Sequence, residues 1–367
     1  MSTADMYLKL FPLHLAIMIR NEDISDSLKL LVTSQDNILS ILTWRDTEGR
    51  TPLHIASTHN GTQGLKLLEL VGPENRFVIA KQINNQGQSV LHVAATNLEN
   101  ISYILSMLNS REQQDLLMLR DCRGLTMLHV RNGLGLITLS DISNTMDLSA
   151  ECISSLLQIR DNMGNTALHL GLAVESVSVL PGISKLYTHC DIQAPFTVIN
   201  DDGFSPLHWQ MSRIMASDQE NLSAVLDILP QDQLKKIMQI QLTETSSFYS
   251  HVDYKGDTIL HTLAVRQNKD HLEMILSKVT LEELESLLAI QNDQGNTALH
   301  MAAHSQRTFS IFLPSLVANS NESASSAMEL LMLSNGNGCT VVHVITYHIE
   351  LNIVMTLLSG LGQVHLT

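Results

Sequence analysis

Histidine is the side chain whose number and spacing first suggest chemistry in this 367-residue sequence. Nine of the 16 histidines occupy one recurring position, directly after Leu or Val, at intervals of 37–43 residues with one interval of 53. They are His14, His54, His92, His129, His169, His208, His261, His300 and His343. Imidazole binds metals and exchanges protons near neutral pH, so such a row could supply metal ligands or general bases.

The residues beside the histidines argue against both kinds of chemistry. His300 and His304 lie four residues apart and would share one helix face. A zinc-protease helix, however, needs Glu directly after the first histidine, where Met301 stands. The sequence also lacks a phosphate-binding Gly-Lys loop, a Gly-x-Ser-x-Gly elbow and the protein-kinase motifs. We therefore expect no metal ion, no cofactor and no catalytic residue.

A pattern around each histidine gives it a structural role instead. In eight copies Asp or Asn lies eight residues before the histidine, Gly five before it and Thr or Ser three before it, as in Asp46, Gly49 and Thr51. An Asx residue followed by Gly favours a tight turn, and Thr or Ser favours a helix N-cap. The histidine then falls at the third helical position, from which it can reach back to the cap. Each copy therefore predicts a turn followed by a helix.

The local sequence of these copies resembles the ankyrin repeat. Residues 51–56 (TPLHIA) match its Thr-Pro-Leu-His-x-Ala signature, and residues 205–208 (SPLH) and 297–302 (TALHMA) are similar. The resemblance extends from about residue 8 to residue 360. It implies an all-α solenoid of about nine units, with β-hairpin-like turns on one side and a protein-binding role.

The resemblance implies one elongated domain over residues 1–367, with units that are longer than the ankyrin norm of about 33 residues. The units are expected to start near residues 8, 46, 84, 121, 161, 200, 253, 292 and 335. Apolar pairs precede most turns, and helix-start signals precede those pairs at residues 280–283 (TLEE), 110–113 (SREQ), Pro73 and Pro230. We therefore predict a short extra helix in most repeats.

Two places depart from the regular unit. In the fourth repeat, residues 131–135 (RNGLG) carry Arg in place of a small residue and two glycines, which predicts a short or distorted helix. The 53-residue interval carries about 13 additional residues, which we place in an inserted Ser/Thr-rich loop at residues 242–251 on the turn side.

Composition narrows the expected partner and location. The formal net charge is −15, from 22 Lys and Arg against 37 Asp and Glu, which argues against binding to nucleic acid. No apolar stretch reaches the roughly 20 residues that a membrane span needs. The four cysteines are too few and too widely spaced for a disulfide framework or a zinc site. We expect a cytoplasmic monomer whose partner is another protein with a neutral or basic surface.

Turn tips and the first helix of each unit line the surface along which repeat arrays bind partners. Aromatic and Arg side chains concentrate binding energy at such surfaces, so we rank the segment 242–255 and the neighbouring tips as the expected hot spot. The predicted protein-binding residues are Glu48, Arg50, Gln88, Arg123, Met163, Asp202, Phe204, Phe248, Tyr249, Tyr254 and Lys255. Trp209, next to a repeat histidine, is expected in the core.

The leading hypothesis is a non-enzymatic scaffold that recruits or sequesters a partner protein. Its long, irregular units resemble ankyrin-repeat effectors that intracellular bacteria deliver into host cells, which would place the chain in the host cytosol after secretion. Its repeat count and acidity also resemble IκB-like inhibitors, which mask transcription factors. An enzyme with a site grafted near repeats four to six, where the pattern breaks, is the alternative of another class, and a structural spacer is a third.

Overall fold

The computed structural model describes residues 35–59, 61–129, 148–172, 193–213, 229–243, 255–317 and 323–349, together with single residues 13, 14, 17, 223, 226 and 227. The chain divides into two compact units, Met1–Pro195 and Phe196–Thr367. Each unit is an all-α stack of repeats, which confirms the predicted fold class. The expectation of one domain over residues 1–367 stays a prediction.

Each regular repeat opens with a turn that its Asx residue closes. The Asp46 carboxylate accepts the N–H of Glu48 at 2.9 Å and of Arg50 at 2.8 Å. The Asp46 carbonyl accepts the N–H of Gly49, whose φ of +73° is a conformation that glycine adopts without strain. At the base of such turns the chain forms single antiparallel bridges, as between Ile83 and Ser89. The turns are therefore hairpin-like, as predicted.

A first helix follows each turn and carries the repeated histidine. Thr or Ser stands directly before it, with φ near −90° and ψ near 170° in Thr51, Thr258 and Thr297, the extended geometry of an N-cap. The described first helices are Pro52–Ser57, Val90–Ala94, the 3-10 turn Met127–His129, Ala167–Leu172, Pro206–Arg213, Ile259–Arg266, Ala298–Ala302 and Val341–His348.

Second and third helices complete the repeats. The described second helices are the 3-10 helix Gln63–Leu70 and the α-helices Leu98–Ser106, Lys269–Leu276 and Gln306–Val317. The third helices, which lead into the next turn, are Gln35–Leu42, Pro73–Ala80, Ser110–Leu117, Ala150–Gln158, Gln193–Thr197, Gln231–Met238, Leu281–Leu288 and Ser323–Met332. The predicted extra helix is thus confirmed as a regular feature of the described repeats.

Like helices pack on like helices from one repeat to the next. Pro52–Ser57 packs on Val90–Ala94, Lys269–Leu276 on Gln306–Val317, and Leu281–Leu288 on Ser323–Met332. The apolar side chains between them are almost completely buried, for example Leu53, Leu91 and Leu299. Each repeat buries its apolar faces against the neighbouring repeats. The stability of the array is therefore the sum of the stability of each repeat and of each interface between neighbours, as in other repeat arrays.

Of the two predicted capping boxes, one is observed as predicted and the other is shifted by one residue. Thr280 and Glu283 form the expected reciprocal pair, with the Thr280 N–H donating to the Glu283 carboxylate at 3.0 Å. The box predicted at residues 110–113 is wrong by one residue, since Asn109 is the N-cap and Glu112 its partner. The observed register buries Gln113, whose Nε2 donates to the carbonyls of Leu105 and Leu108 at 3.0 Å.

The inserted loop enters the fold inside a turn. In the seventh repeat the Leu242 N–H donates to the Asp257 carbonyl, and the Gly256 N–H donates to the Leu242 carbonyl, both at 2.8 Å. These are the bonds that Asp46 makes in a regular turn, so the turn begins at Leu242 and not near residue 253 as predicted. Leu242 is buried. Residues 244–251 of the predicted loop and the following residues 252–254 lie outside the described residues, as do residues 130–147 with the glycines of the fourth repeat.

Candidate functional site

The repeated histidines are hydrogen-bonding links between consecutive repeats. In the second repeat, His54 Nδ1 accepts the backbone N–H of Thr51 at 3.2 Å and lies 2.8 Å from its hydroxyl. Because Nδ1 is an acceptor, Nε2 carries the proton and donates it to the Gln88 carbonyl of the third repeat at 3.0 Å. Both ring nitrogens are therefore used, which leaves neither for a metal or for proton transfer.

The same link recurs along both units. The Nε2-to-carbonyl distances are 2.8 Å for His14 and Arg50, 2.8 Å for His92 and Leu125, 3.3 Å for His129 and Asn165, 2.9 Å for His261 and Asn296, and 3.1 Å for His300 and Cys339. Burial lowers the pKa of His54 and of His261 to about 4. Desolvation disfavours the charged form, so these histidines are neutral structural groups.

Backbone hydrogen bonds also join successive turn tips. The Asn85 N–H donates to the Glu48 carbonyl at 2.9 Å, and the Asn85 side chain donates to the Thr47 carbonyl at 3.1 Å. Equivalent bonds run from Cys122 to Gln86, from Asn162 to Arg123, from Asp293 to Lys255 and from Gly336 to Gln294. Backbone groups of these tips are thus bonded to the neighbouring tips, while the side chains at the apex extend from them.

The apex of each turn, directly before its glycine, holds five of the eleven predicted binding residues. Glu48, Arg123 and Met163 are exposed there, with 65% and 68% of the first two side chains accessible and 55% of Met163. In the other unit, Asp202 is half-buried and Lys255 is exposed at the equivalent position. Phe248, Tyr249 and Tyr254 lie outside the described residues, so their placement in a hot spot stays a prediction.

The structure brings Glu48, Arg50 and Gln88 together around one concavity of about 360 Å³. It lies between two neighbouring tips. Thr58, which follows the helix Pro52–Ser57, and Val93, which lies in the helix Val90–Ala94, also line it. The complete lining is Thr47, Glu48, Arg50, Thr58, Asn84, Asn85, Gln86, Gln88 and Val93. Thr47, Asn85 and Gln86 are not among the predicted binding residues. Gln86 is the apex residue of the third turn, and Thr47 and Asn85 directly follow the Asx residues of the second and third turns, so their distances from the histidines in the sequence could have identified them.

Arg50 is held at this concavity by two carboxylates. Its Nε donates to Asp46 Oδ2 at 2.9 Å, and its NH1 lies 3.3 Å from Glu48 Oε2. Burial by itself would raise the pKa of the Asp46 carboxyl, but the Arg50 backbone and guanidinium N–H groups bond the ionised form and lower that pKa below its usual range. Asp46, Glu48 and Arg50 therefore sum to one negative charge, and the exposed Glu48 presents it.

The prediction that Phe204 belongs to the binding surface is wrong. Its side chain is 0% exposed and packs edge-on against Trp209, with the ring centroids 5.8 Å apart and the planes at 66°. Phe204 lies four residues after the Asx position Asn200, and an apolar ring at this position is buried under the turn. Trp209 is buried beside it, as expected.

A lateral ladder of long polar side chains also escaped the sequence analysis. The residue before the Asx position bridges its own turn and the following repeat. Gln291 Nε2 donates to the Gly295 carbonyl at 2.8 Å and to the Ser334 carbonyl at 2.9 Å. Gln241 makes the same two contacts with Gly256 and Gln291. In the other unit, Arg120 bonds the carbonyls of Gly124 and Arg160. The recurrence of Arg or Gln at this offset is the signal that identifies them.

Across the described ranges, no three His, Cys, Asp or Glu side chains are grouped as a metal site requires. In the same part of the chain, no helix has both the length and the apolar character needed to cross a bilayer.

Comparison with protein-family models gives no match, and comparison with curated protein sequences gives none. Among solved structures, the chain is similar to the ankyrin repeat domain of Bcl-3, a member of the IκB protein family, with a TM-score of 0.46 and 16% identity over 74% of this chain and 99% of that one.

It is also similar to the complex of the predatory endopeptidase Bd0816 from Bdellovibrio bacteriovorus with the immunity protein Bd3460, with a TM-score of 0.35 and 16% identity over 62% of this chain and 91% of that one. Both similarities are too distant to assign a function. The internal geometry is more informative, because each described repeat joins a hairpin-like turn, a Thr or Ser cap and a capping histidine to packed helices in the ankyrin order. The described repeats therefore form an all-α array in which the turn, cap and histidine follow the order of the ankyrin signature, with a third helix in the repeat.

Proposed function

We propose that this chain is a non-enzymatic scaffold that binds a partner protein along its turn tips and the adjoining concave surface, and so recruits or sequesters it. The single observation that carries the proposal is that backbone and side chains have different roles at the turn tips of the first unit. Their backbone groups bond the neighbouring tips, while the side chains of Glu48, Gln86, Arg123 and Met163 are exposed in a row. A surface that is rigid in its main chain and varied in its side chains is suited to selective recognition.

The chemistry of the row favours a protein partner. It combines an acidic, an amide, a basic and a thioether side chain, and Arg and Met are enriched in protein interfaces. The histidines, which are the chain's most conspicuous chemical groups, serve as links between repeats, and this favours binding over catalysis. A neutral or basic partner surface, a cytoplasmic location, a monomeric state and the setting of a translocated effector stay predictions from the sequence.

The test is affinity capture with three forms of the intact chain. The tip variant carries Glu48→Ala, Gln86→Ala, Arg123→Ala and Met163→Ala, and the control variant carries Glu99→Ala, Asp115→Ala and Glu329→Ala on exposed helix positions. We expect one or a few proteins to bind the intact chain and the control but to be reduced at least tenfold with the tip variant, and to bind again when purified. Equal recovery by the tip variant would contradict the proposal.

A further inference from the structure

We propose that the concavity between the second and third turns binds an arginine side chain presented by an extended segment of the partner protein. The concavity is the one lined by Glu48, Arg50, Gln86 and Gln88, among others, with a volume of about 360 Å³. The inference rests on the proposed scaffold function and specifies the chemistry that this surface recognises.

Several backbone carbonyls around the concavity already accept hydrogen bonds from within the protein. The carbonyls of Thr47 and Glu48 accept from Asn85. The carbonyls of Arg50 and Gln88 each accept two hydrogen bonds, one from the Asx N–H of the same turn and one from the histidine of the preceding repeat. Several main-chain acceptors of these tips are therefore already engaged within the protein, which favours recognition of a ligand through the side chains.

The side chains that remain at the concavity are rich in acceptors. Glu48 presents an exposed carboxylate whose contact with Arg50 NH1 is 3.3 Å long. Gln86 is exposed, and Gln88 is half-buried with its Oε1 accepting from Asn84 at 3.1 Å. Carboxylate and amide oxygens each accept more than one hydrogen bond, so Glu48, Gln86 and Gln88 together can receive several donors from one ligand.

Charge selects a cation among the possible ligands. Asp46 is buried and bonded to Arg50, so Arg50 is already neutralised from inside the turn. Asp46, Glu48 and Arg50 together carry one net negative charge, so an anionic ligand would be repelled at Glu48, whereas a cation would share the Glu48 carboxylate with Arg50. Like charges disfavour the first arrangement, and opposite charges favour the second.

Geometry selects arginine among the cations. Its guanidinium presents five N–H donors in a planar fork, so that one face can engage the Glu48 carboxylate while the remaining donors reach amide oxygens on the opposite wall. The ammonium of lysine is a compact point charge with three donors and is more strongly hydrated. A mixed lining of one carboxylate and several amides therefore favours arginine.

The test compares arginine with its uncharged isostere, citrulline. The probes are blocked seven-residue Gly/Ser peptides with arginine, citrulline or lysine at the centre, together with free arginine. Each is titrated into the isotopically labelled intact chain, and binding is read from the side-chain amide resonances of Gln86 and Gln88. We expect the arginine peptide to bind at least tenfold more tightly than the citrulline and lysine peptides and than free arginine.

Two variants decide whether Glu48 carries the selectivity. Glu48→Gln removes the charge but leaves the backbone N–H that closes the turn, and Glu329→Gln is the matched control on an exposed helix in the other unit. Arginine selectivity should disappear in Glu48→Gln and persist in Glu329→Gln, with unchanged circular dichroism in both. Equal binding of the arginine and citrulline peptides, equal binding of free arginine, or selectivity that survives Glu48→Gln would overturn the proposal.

The outcome is separable from that of the scaffold proposal. A captured partner that depends on the tip row but binds Glu48→Gln as tightly as the unaltered chain would overturn the arginine site and leave the scaffold function standing. If the chain binds the arginine peptide selectively but captures no protein through its tips, the scaffold function is overturned and the arginine site stands.

Discussion

Two interfaces between consecutive repeats, one regular and one interrupted, use the same backbone scheme with different side chains. At the regular interface, His54 of the second repeat donates to the Gln88 carbonyl, and Asn84 closes the third turn with its side-chain oxygen. At the interrupted interface, His208 of the sixth repeat keeps its contact with the Ser205 hydroxyl at 2.8 Å. Its Nε2, however, is buried without a hydrogen-bond partner among the residues that the structure describes.

The interrupted turn shows why it tolerates an insertion. Leu242 has no side-chain oxygen, yet its backbone N–H and carbonyl close the turn around Asp257 and Gly256. The Asp257 carboxylate accepts from the Asn292 side chain of the next repeat at 2.8 Å, which adds a lateral contact of its own. The turn therefore depends on two main-chain bonds at its base, while the Asx side chain and the histidine link are separable additions.

Acid should produce the largest change, because it acts on several buried histidines together. Burial lowers the folded pKa values below the ordinary value near 6.5, so the unfolded chain takes up protons first as the pH falls. The histidines concerned are His14, His54, His92, His129, His208, His261, His271 and His300. Stability is fully present above about pH 6.5 and is lost between about pH 6.5 and 4, by about 1.4 kcal/mol per pH unit for each histidine that is neutral only when folded. Urea unfolding at pH 7.5, 6 and 5 measures this loss, and a constant midpoint would contradict it.

Titration of single histidines distinguishes the regular interface from the interrupted one. His208 has its pKa lowered to about 3 by burial, whereas for His54 the bond to the Gln88 carbonyl partly offsets burial and leaves the pKa at about 4. We therefore expect the His208 ring resonances to titrate at lower pH than those of His54, or to remain unshifted until the chain unfolds. An earlier titration of His208 would show that the interrupted interface is open to water.

Alanine substitution at the two histidines isolates the inter-repeat bond. His54→Ala removes the cap contact, the packed ring and the Nε2 bond, for a loss of about 3 kcal/mol in the free energy of unfolding. His208→Ala removes the cap contact and the ring alone, so the loss should be smaller by about 1 kcal/mol. Denaturant unfolding combined with hydrogen exchange of the adjacent repeats measures both, and equal losses would contradict the distinction.

Glycine substitution tests how closely neighbouring turns approach. A Cβ at Gly87 would lie 2.7 Å from the Cys122 backbone nitrogen, and the residue also has φ of +76°. Gly338 has the same φ, but its Cβ would meet no described atom within 4 Å. Gly87→Ala should therefore cost about 2 kcal/mol or more, and Gly338→Ala about 1 kcal/mol from backbone conformation alone. The difference in thermal midpoint between the variants is the measurement.

The lateral ladder should give the smallest effects. Gln291→Ala removes two exposed hydrogen bonds and should lower the free energy of unfolding by about 0.5–1 kcal/mol. In the third repeat the equivalent residue is Ile83, which is 41% exposed, and Ile83→Gln should add about 0.5 kcal/mol by installing the ladder there. An Ile83→Gln variant that is no more stable than the unaltered chain would contradict a stabilising role of the ladder in the third repeat.

Most of the local structure could be predicted from the sequence, because the turns and helix starts depend on residues close to one another in the chain. The Asx-to-Gly spacing gave the turns, and the Thr or Ser cap gave the start of the first helices. The errors arose where neighbours decide: Asn109 was preferred over Ser110 as the N-cap because the shifted register buries Gln113. Phe204 was misassigned because the outward or inward direction of a turn residue depends on the repeat stacked beside it.

The repeat, its period and the roles of turn, cap and histidine can be read from local sequence, since each role depends on residues within about eight positions of one another. The stacking of neighbouring repeats sets three further properties: which backbone groups of the tips form hydrogen bonds, which apex side chains surround a common concavity and where the insertion enters its turn. Those properties are contacts between residues far apart in the sequence, such as His54 with Gln88 at 34 positions and Asn85 with Glu48 at 37. They follow from the stacking of neighbouring repeats, which packing sets and local propensity does not.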